Sequence, residues 1–359
     1  MIFFNLLLLF LINLLVISFS LPPIIINKNL ITTGGISSGC FMSTQLNYAY
    51  SSLIKGNACI AGGPYWCAQS NIDIALTKCM NPEYSKLINV NYLESIVYAN
   101  ELSGLIDPVY NLANSKIWLL SAQNDSVVSS NVVKANGQLY NKFIGKNQIK
   151  LVFDIPGEHA QLTDLYGNKC DYFGAPYINN CKYYAAYEGL LWLYGSNIIK
   201  SNIYNESNLY MFDQTKYIPL LSNNQLELNN NLELNNQLEL NNQLEFNNQL
   251  GLNKIGYIYV PMNCTPKLNT NNGCKLHIVF HGCDQTLEDI GLDFIRKTGY
   301  LSIGEINNIV ILFPQALKTL TNPNGCWDWW GYTGINYANK LSVQMSMIKN
   351  IIDELLKSR

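Results

Sequence analysis

The pentapeptide Gly35-Ile36-Ser37-Ser38-Gly39 constrains this chain more than any other feature. It follows an apolar, β-branched run, Ile24 to Thr32, and precedes a helical pattern, Phe41 to Ser51. G-x-S-x-G between a strand and a helix is the setting of a nucleophile elbow, a turn so tight that the residues flanking the serine must be small. Gly35 and Gly39 meet that demand. Ser37 then projects from a strand end, over a helix N-terminus that favours developing negative charge.

A turn of that kind needs a sheet to hold it. Ala58 to Ala61, Ile117 to Ser121, Ile149 to Phe153, Gly256 to Pro261, Lys275 to Phe280 and Asn308 to Phe313 read as buried strands. Tyr184 to Tyr194 and Leu341 to Leu356 carry helical patterns. Strands alternating with helices predict an α/β fold, a mostly parallel central sheet flanked by helices. A length of 359 residues leaves room for two domains. With 48% hydrophobic residues there is also enough for one large core, and a single catalytic domain is expected over residues 21–359. Residues 223–252 break the pattern with five near-copies of a six-residue unit that begins Asn223-Asn224-Gln225-Leu226-Glu227-Leu228. So few copies make a poor hexapeptide β-helix. Asn/Gln-rich low complexity in a surface insert is the preferred reading.

The N-terminus indicates the compartment. An apolar run from Ile2 to Phe19, small residues in Ser18-Phe19-Ser20, then Leu21-Pro22-Pro23 predict a signal peptide over residues 1–20. An uncleaved anchor is the competing reading, since the run nearly suffices to span a bilayer. Ten cysteines suit an oxidising, secreted location. Their clustering suggests the pairs Cys67–Cys79, Cys170–Cys181 and Cys264–Cys274, then Cys283–Cys326, which leaves Cys40 and Cys59. The tight pairs with matching histidines that zinc needs are missing, so no metal is expected. Asn205-Glu206-Ser207 and Asn263-Cys264-Thr265 are glycosylation acceptors by pattern, as is Asn124-Asp125-Ser126, where a glycan would crowd the site proposed below. A net charge of −2 with 13% charged residues gives no reason to expect nucleic acid or an anionic membrane as a partner. A monomer is expected.

Ser37 needs a base, and the chain has three histidines. His277 lies inside an apolar strand and reads as structural. His281 ends that strand. His159 follows the strand Ile149 to Phe153 in the loop Pro156-Gly157-Glu158-His159, and loops after strand ends are where α/β folds place catalytic groups. His159 is therefore the candidate base, with His281 second. Asp125, in the polar turn after Ile117 to Ser121, is the candidate orienting carboxylate, ahead of Asp154 and Glu158. The chain order Ser, Asp, His is that of α/β-hydrolases.

In an ordinary member of that fold a strand ending in His-Gly comes before the nucleophile, and its following N–H completes the oxyanion hole. Here the segment left before Ser37 can form one strand and no more. His281-Gly282-Cys283 lies far downstream instead. Circular permutation reconciles the two, with the backbone N–H groups of Ser38 and Cys283 as oxyanion donors. Asn322 to Gly331 is rich in tryptophan. A disulfide from Cys283 to Cys326 would tether Trp327 beside that hole, where a partly exposed ring could grip an apolar ester chain.

These residues together resemble the polyhydroxybutyrate depolymerase family in its circularly permuted, single-domain, secreted form. The resemblance rests on Gly35 to Gly39, Ala61 to Ala68, His159-Ala160 with Thr163 and Gly167 to Cys170, Leu276 to Cys283, and Asn322 to Gly331. It implies a serine esterase acting on poly- or oligo-3-hydroxyalkanoates, with Ser37, Asp125 and His159 as triad, Ser38 and Cys283 as oxyanion donors, Trp327 in the substrate cleft, and no cofactor. The repeat has no counterpart in the family pattern, and no separate polymer-binding domain is evident. The rival readings are an esterase for feruloyl or acetyl esters and a catalytically silent secreted binding protein.

Overall fold

The computed structural model describes residues 20–219, 249–268 and 273–357. The expected signal peptide lies outside these residues apart from Ser20, and so does the repeat up to residue 248. The last residues of the predicted insert belong to the fold. Leu250 and Leu252 are buried, and Leu252 forms a β-bridge with Ala316.

One sheet of eight strands organises the molecule. In chain order these are β1 (Ile26–Ile36), β2 (Ile54–Ile60), β3 (Lys116–Leu120) and β4 (Ile149–Val152). A small sheet of β5 (Gln161–Thr163), β6 (Asn168–Lys169) and β7 (Ile178–Asn180) follows. The large sheet then resumes with β8 (Leu209–Asp213), β9 (Ile255–Tyr259), β10 (Cys274–Phe280) and β11 (Ile309–Phe313). Across the large sheet the order is β4-β3-β2-β1-β10-β11-β9-β8. Pairing is parallel from β4 to β11, while β9 runs antiparallel to both of its neighbours.

This order shows the permutation. The nucleophile strand β1 comes first in the chain yet lies mid-sheet. Its neighbour β10, which runs directly into His281-Gly282, follows it by most of the chain, and Gly35 is in register with Phe280. The fold is thus a circularly permuted α/β-hydrolase fold.

Helices cover both faces of the sheet. Met42 and Leu46 of α1 (Ser38–Ala49), Leu93 and Val97 of α2 (Val90–Leu102), Val133 and Leu139 of α3 (Ser130–Tyr140) join one core. Leu190 of α4 (Ala185–Tyr194) and Leu301 and Ile303 of α5 (Tyr300–Asn307) join the other. Ile348, Ile351 and Ile352 of α6 (Val343–Lys357) complete the first. Every residue of α1 is buried, as a helix passing beneath a central strand must be. Its polar side chains find internal partners: Gln45 Nε2 donates to the Asp328 carbonyl (3.0 Å) and Asn47 Nδ2 to that of Ile54 (3.2 Å).

The ten cysteines form five disulfides, 40–59, 67–79, 170–181, 264–274 and 283–326, which are the pairs their spacing suggested. Among the described residues no helix is long and apolar enough to cross a membrane.

Candidate active site

The elbow forms as its glycines require. Ser37 caps α1 at φ 56°, ψ −123°, a strained conformation for a side chain with a Cβ, and its N–H is held by the Ile60 carbonyl at 2.9 Å. A Cβ on Gly39 would lie 2.3 Å from the Phe280 carbonyl oxygen, and one on Gly35 would lie 2.6 Å from the same atom. Both glycines are therefore imposed by the close passage of the end of β10. The Cys40–Cys59 disulfide fastens the first turn of α1 to β2.

His159 and Asp125 meet at the same carboxyl edge of the sheet. Nδ1 of His159 faces both carboxylate oxygens, Oδ2 at 2.9 Å and Oδ1 at 3.0 Å. The Asp125 side chain is 2% exposed and that of His159 8%. A carboxylate at Nδ1 keeps the proton there and leaves Nε2 unprotonated, the form a general base requires. Asp125 also forms a turn: its Oδ1 accepts from the N–H groups of Val127 (3.0 Å) and Val128 (2.8 Å). The candidate orienting carboxylate and the turn-former are one residue.

Ser37, partly buried at the tip of the elbow, makes no hydrogen bond of its hydroxyl among the described residues. Catalytic hydrogen bonds in unliganded sites are often long and tighten only around substrate.

The other two histidines are committed elsewhere. His277 is fully buried, bonds the Thr32 hydroxyl through Nδ1 (2.8 Å), and is pushed down to about 3 by burial. His281 is also fully buried, and both its ring nitrogens are engaged: Nε2 accepts from Ala316 N–H (3.1 Å) and Nδ1 contacts the Gly282 carbonyl (2.7 Å). Burial lowers its pKa to about 4. Asp154, the reserve acid, is exposed.

The loop after β10 lies against the elbow. A Cβ on Gly282 would sit 3.3 Å from Ser37 Cβ. Among the described residues the N–H groups of Ser38 and Cys283 donate to no other group. Trp327 requires a correction. The Cys283–Cys326 disulfide does hold it beside this loop, but its ring is 0% exposed rather than partly open. It packs edge-on against Phe280 (centroids 5.1 Å apart) and tilted against His281 (5.6 Å). Its backbone N–H donates to Ser38 Oγ at 3.3 Å. Trp327 is a core residue beneath the elbow. Trp329 is buried too, stacked on Phe41 at 4.2 Å, and of the three tryptophans Trp330 is the one partly exposed.

Two residues gain roles that the sequence did not reveal. Glu158 Oε1 accepts from Ser126 N–H (2.7 Å), Ser126 Oγ (3.0 Å) and His159 N–H (2.7 Å), so it clamps the Asp125 loop to the His159 loop. Asp328, fully buried, accepts from the N–H groups of Gly331 (2.7 Å), Tyr332 (3.1 Å) and Thr333 (2.9 Å), and so organises the tryptophan loop. Burial pushes its carboxyl upward, against the pull of these donors. Among the described residues no group of three or more His, Cys, Asp or Glu is arranged to hold a metal ion.

A permuted sheet with a strained serine elbow and a carboxylate-bound histidine at one edge defines a serine hydrolase of the α/β-hydrolase class. No protein-family model matches the chain. Individual proteins do. A polyhydroxybutyrate depolymerase of Talaromyces funiculosus is 30% identical over 352 residues, covering 94% of this chain and 92% of that protein. A poly(3-hydroxybutyrate) depolymerase of Delftia acidovorans is 38% identical over 338 residues, covering 94% of this chain. The chain spans 61% of that bacterial relative's length. The chain belongs to the polyhydroxybutyrate depolymerase family. Two solved structures superpose with a TM-score of 0.78 at 28% identity, covering 94% of this chain and 99% of each: a PHB depolymerase from Penicillium funiculosum, and a serine-to-alanine PHB depolymerase variant complexed with an R3HB trimer.

Proposed function

We propose that this protein is a secreted, monomeric serine esterase that hydrolyses the ester bonds of 3-hydroxybutyrate oligomers and polymer, with Ser37, His159 and Asp125 as its triad. The observation that carries the reading is the Asp125–His159 pair, closed at 2.9 and 3.0 Å at the sheet edge where the elbow presents Ser37. The oligoester in the solved complex of a family member supports the substrate class, and the serine replaced in that complex supports a serine nucleophile. Five disulfides suit a protein exported to an oxidising space.

The proposed steps are these. Ser37 Oγ attacks the ester carbonyl carbon while His159 Nε2 takes its proton, and the carbonyl oxygen becomes an oxyanion. The Ser38 and Cys283 N–H groups, which donate to no other group among the described residues, are its proposed donors. As the tetrahedral centre collapses, the imidazolium returns the proton to the leaving hydroxyl of the departing unit. Water, deprotonated by the same Nε2, then opens the acyl-enzyme, releasing a carboxylic acid and restoring Ser37. Asp125 keeps the ring oriented and stabilises its positive charge throughout.

The test is hydrolysis of the linear 3-hydroxybutyrate trimer by purified protein, beside feruloyl and acetyl esters. Turnover of the trimer is expected to exceed that of the other esters. In Ser37→Ala it should fall by roughly five to six orders of magnitude. Undiminished turnover in that variant would remove the triad, and preference for a feruloyl ester would remove the substrate class. A fluorophosphonate that labels the wild type but not Ser37→Ala separates an enzyme from a silent binding protein.

A further inference from the structure

Both backbone groups of Gly282 are held by buried side chains of the same loop. Its N–H donates to Gln285 Oε1 at 2.8 Å, and its carbonyl lies 2.7 Å from His281 Nδ1. Ala316 N–H donates to His281 Nε2, so Nε2 is the unprotonated nitrogen and Nδ1–H donates to Gly282. In a trans peptide the C=O and the following N–H point in opposite directions. Fixing the Gly282 carbonyl toward the buried His281 ring therefore turns Cys283 N–H away from it. The Gln285 amide is fully used: besides accepting from Gly282, its Nε2 donates to the Pro176 and Tyr177 carbonyls, each at 3.1 Å. It thereby ties the loop after β10 to the segment leading into β7.

We infer that Gln285 is a positioning residue for the oxyanion hole: it anchors Gly282 N–H, in the His281–Gly282 peptide, so that the next peptide, whose carbonyl His281 holds, presents Cys283 N–H to the developing charge. This rests on the reading of Cys283 N–H as an oxyanion donor. A donor must lie within a few tenths of an ångström of where the oxyanion forms, and its loss is felt in the transition state rather than in substrate binding. Gln285→Met keeps the side-chain length and removes all three hydrogen bonds.

The experiment compares steady-state hydrolysis of the 3-hydroxybutyrate trimer with fluorophosphonate labelling in the full chain. Gln285→Met is expected to lower kcat by about tenfold or more, with KM within about twofold, and to slow phosphonylation in parallel. Trimer binding to Ser37→Ala should be the same with and without Gln285→Met. A folded Gln285→Met protein with wild-type kcat, or one whose loss lies in KM, overturns the inference. Should this variant fail to fold, Gln285→Asn, one methylene shorter and still polar, is expected to show the same kcat-selective loss, and wild-type kcat there overturns the inference equally. Ser37→Ala that still turns over refutes the triad itself. Inactive Ser37→Ala beside an unimpaired Gln285 variant refutes only the positioning role.

Discussion

Asp125 combines a turn-forming contact with the His159 contact of its proposed triad role, and substitution separates them. Asn in its place retains an oxygen for the N–H groups of Val127 and Val128 but offers His159 Nδ1 an amide donor, which turns the ring into the wrong tautomer. Asp125→Asn is expected to lower kcat by roughly 10⁴ while the urea midpoint stays close to that of the wild type. A midpoint that collapses with activity would show the turn, not the tautomer, to be the main role. Asp125 and His159 were legible because each follows a strand end in a polar loop, in the right chain order. Trp327 was misplaced for a physical reason. Its setting among turn residues and beside Cys326 fixes where the backbone goes, but not whether the ring faces substrate or the core. Glu158 was passed over because adjacency to His159 says nothing of Ser126, which only the folded loops bring to it.

Among the elements, β10 is the most demanding. It carries one fully buried histidine, His277, and a second, His281, follows directly. Burial depresses both, to about 3 and about 4, below the value near 6.5 expected in the unfolded chain. The unfolded state thus takes up protons that the native state refuses. Their contribution to stability is complete above about pH 6.5 and is lost as pH falls toward 4 and then 3, with a slope of at most about 2.7 kcal/mol per pH unit for two protons. Denaturant midpoints measured from pH 7.5 to 4.5 should fall steadily below 6.5, and a flat profile would contradict the burial of the pair. The other side of β10 is equally constrained. A methyl on Gly39 would meet the Phe280 and His281 carbonyls at 2.3 and 2.5 Å. Gly39→Ala is expected to cost about 3 kcal/mol or more in urea unfolding, and a change within experimental error would mean that α1 can shift away from the sheet. The long parallel strands were readable as apolar runs between turns. β8 and the three short strands of the small sheet were not, since so few residues carry no visible period and the hydrogen bonds that define them come from distant segments. α2 was overlooked although Asn89 caps it by accepting from Tyr92 N–H, because only Leu93 and Val97 of its surface are buried.

For the molecule as a whole, the disulfides differ in reach. Cys283–Cys326 closes a separation of 43 residues and Cys264–Cys274 one of 10. Chain-entropy reasoning gives about 4 kcal/mol for the first and about 3 for the second. Replacing each pair by serines should lower the denaturant-unfolding free energy in that order, and the reverse order would show that local packing, not loop closure, governs. The permuted topology itself was inferred from one conflict, an elbow too early in the chain and an oxyanion loop too late, and the sheet order resolves it. That order bears on how the protein is made. As the chain emerges during synthesis, β1, β2, β3 and β4 become available together, and with them Ser37, Asp125 and His159. One edge of β1 stays open until β10 arrives, and Cys283, the proposed second oxyanion donor, arrives with it. On the function proposed above, the nascent chain lacks half of its oxyanion hole until its final strands close the sheet.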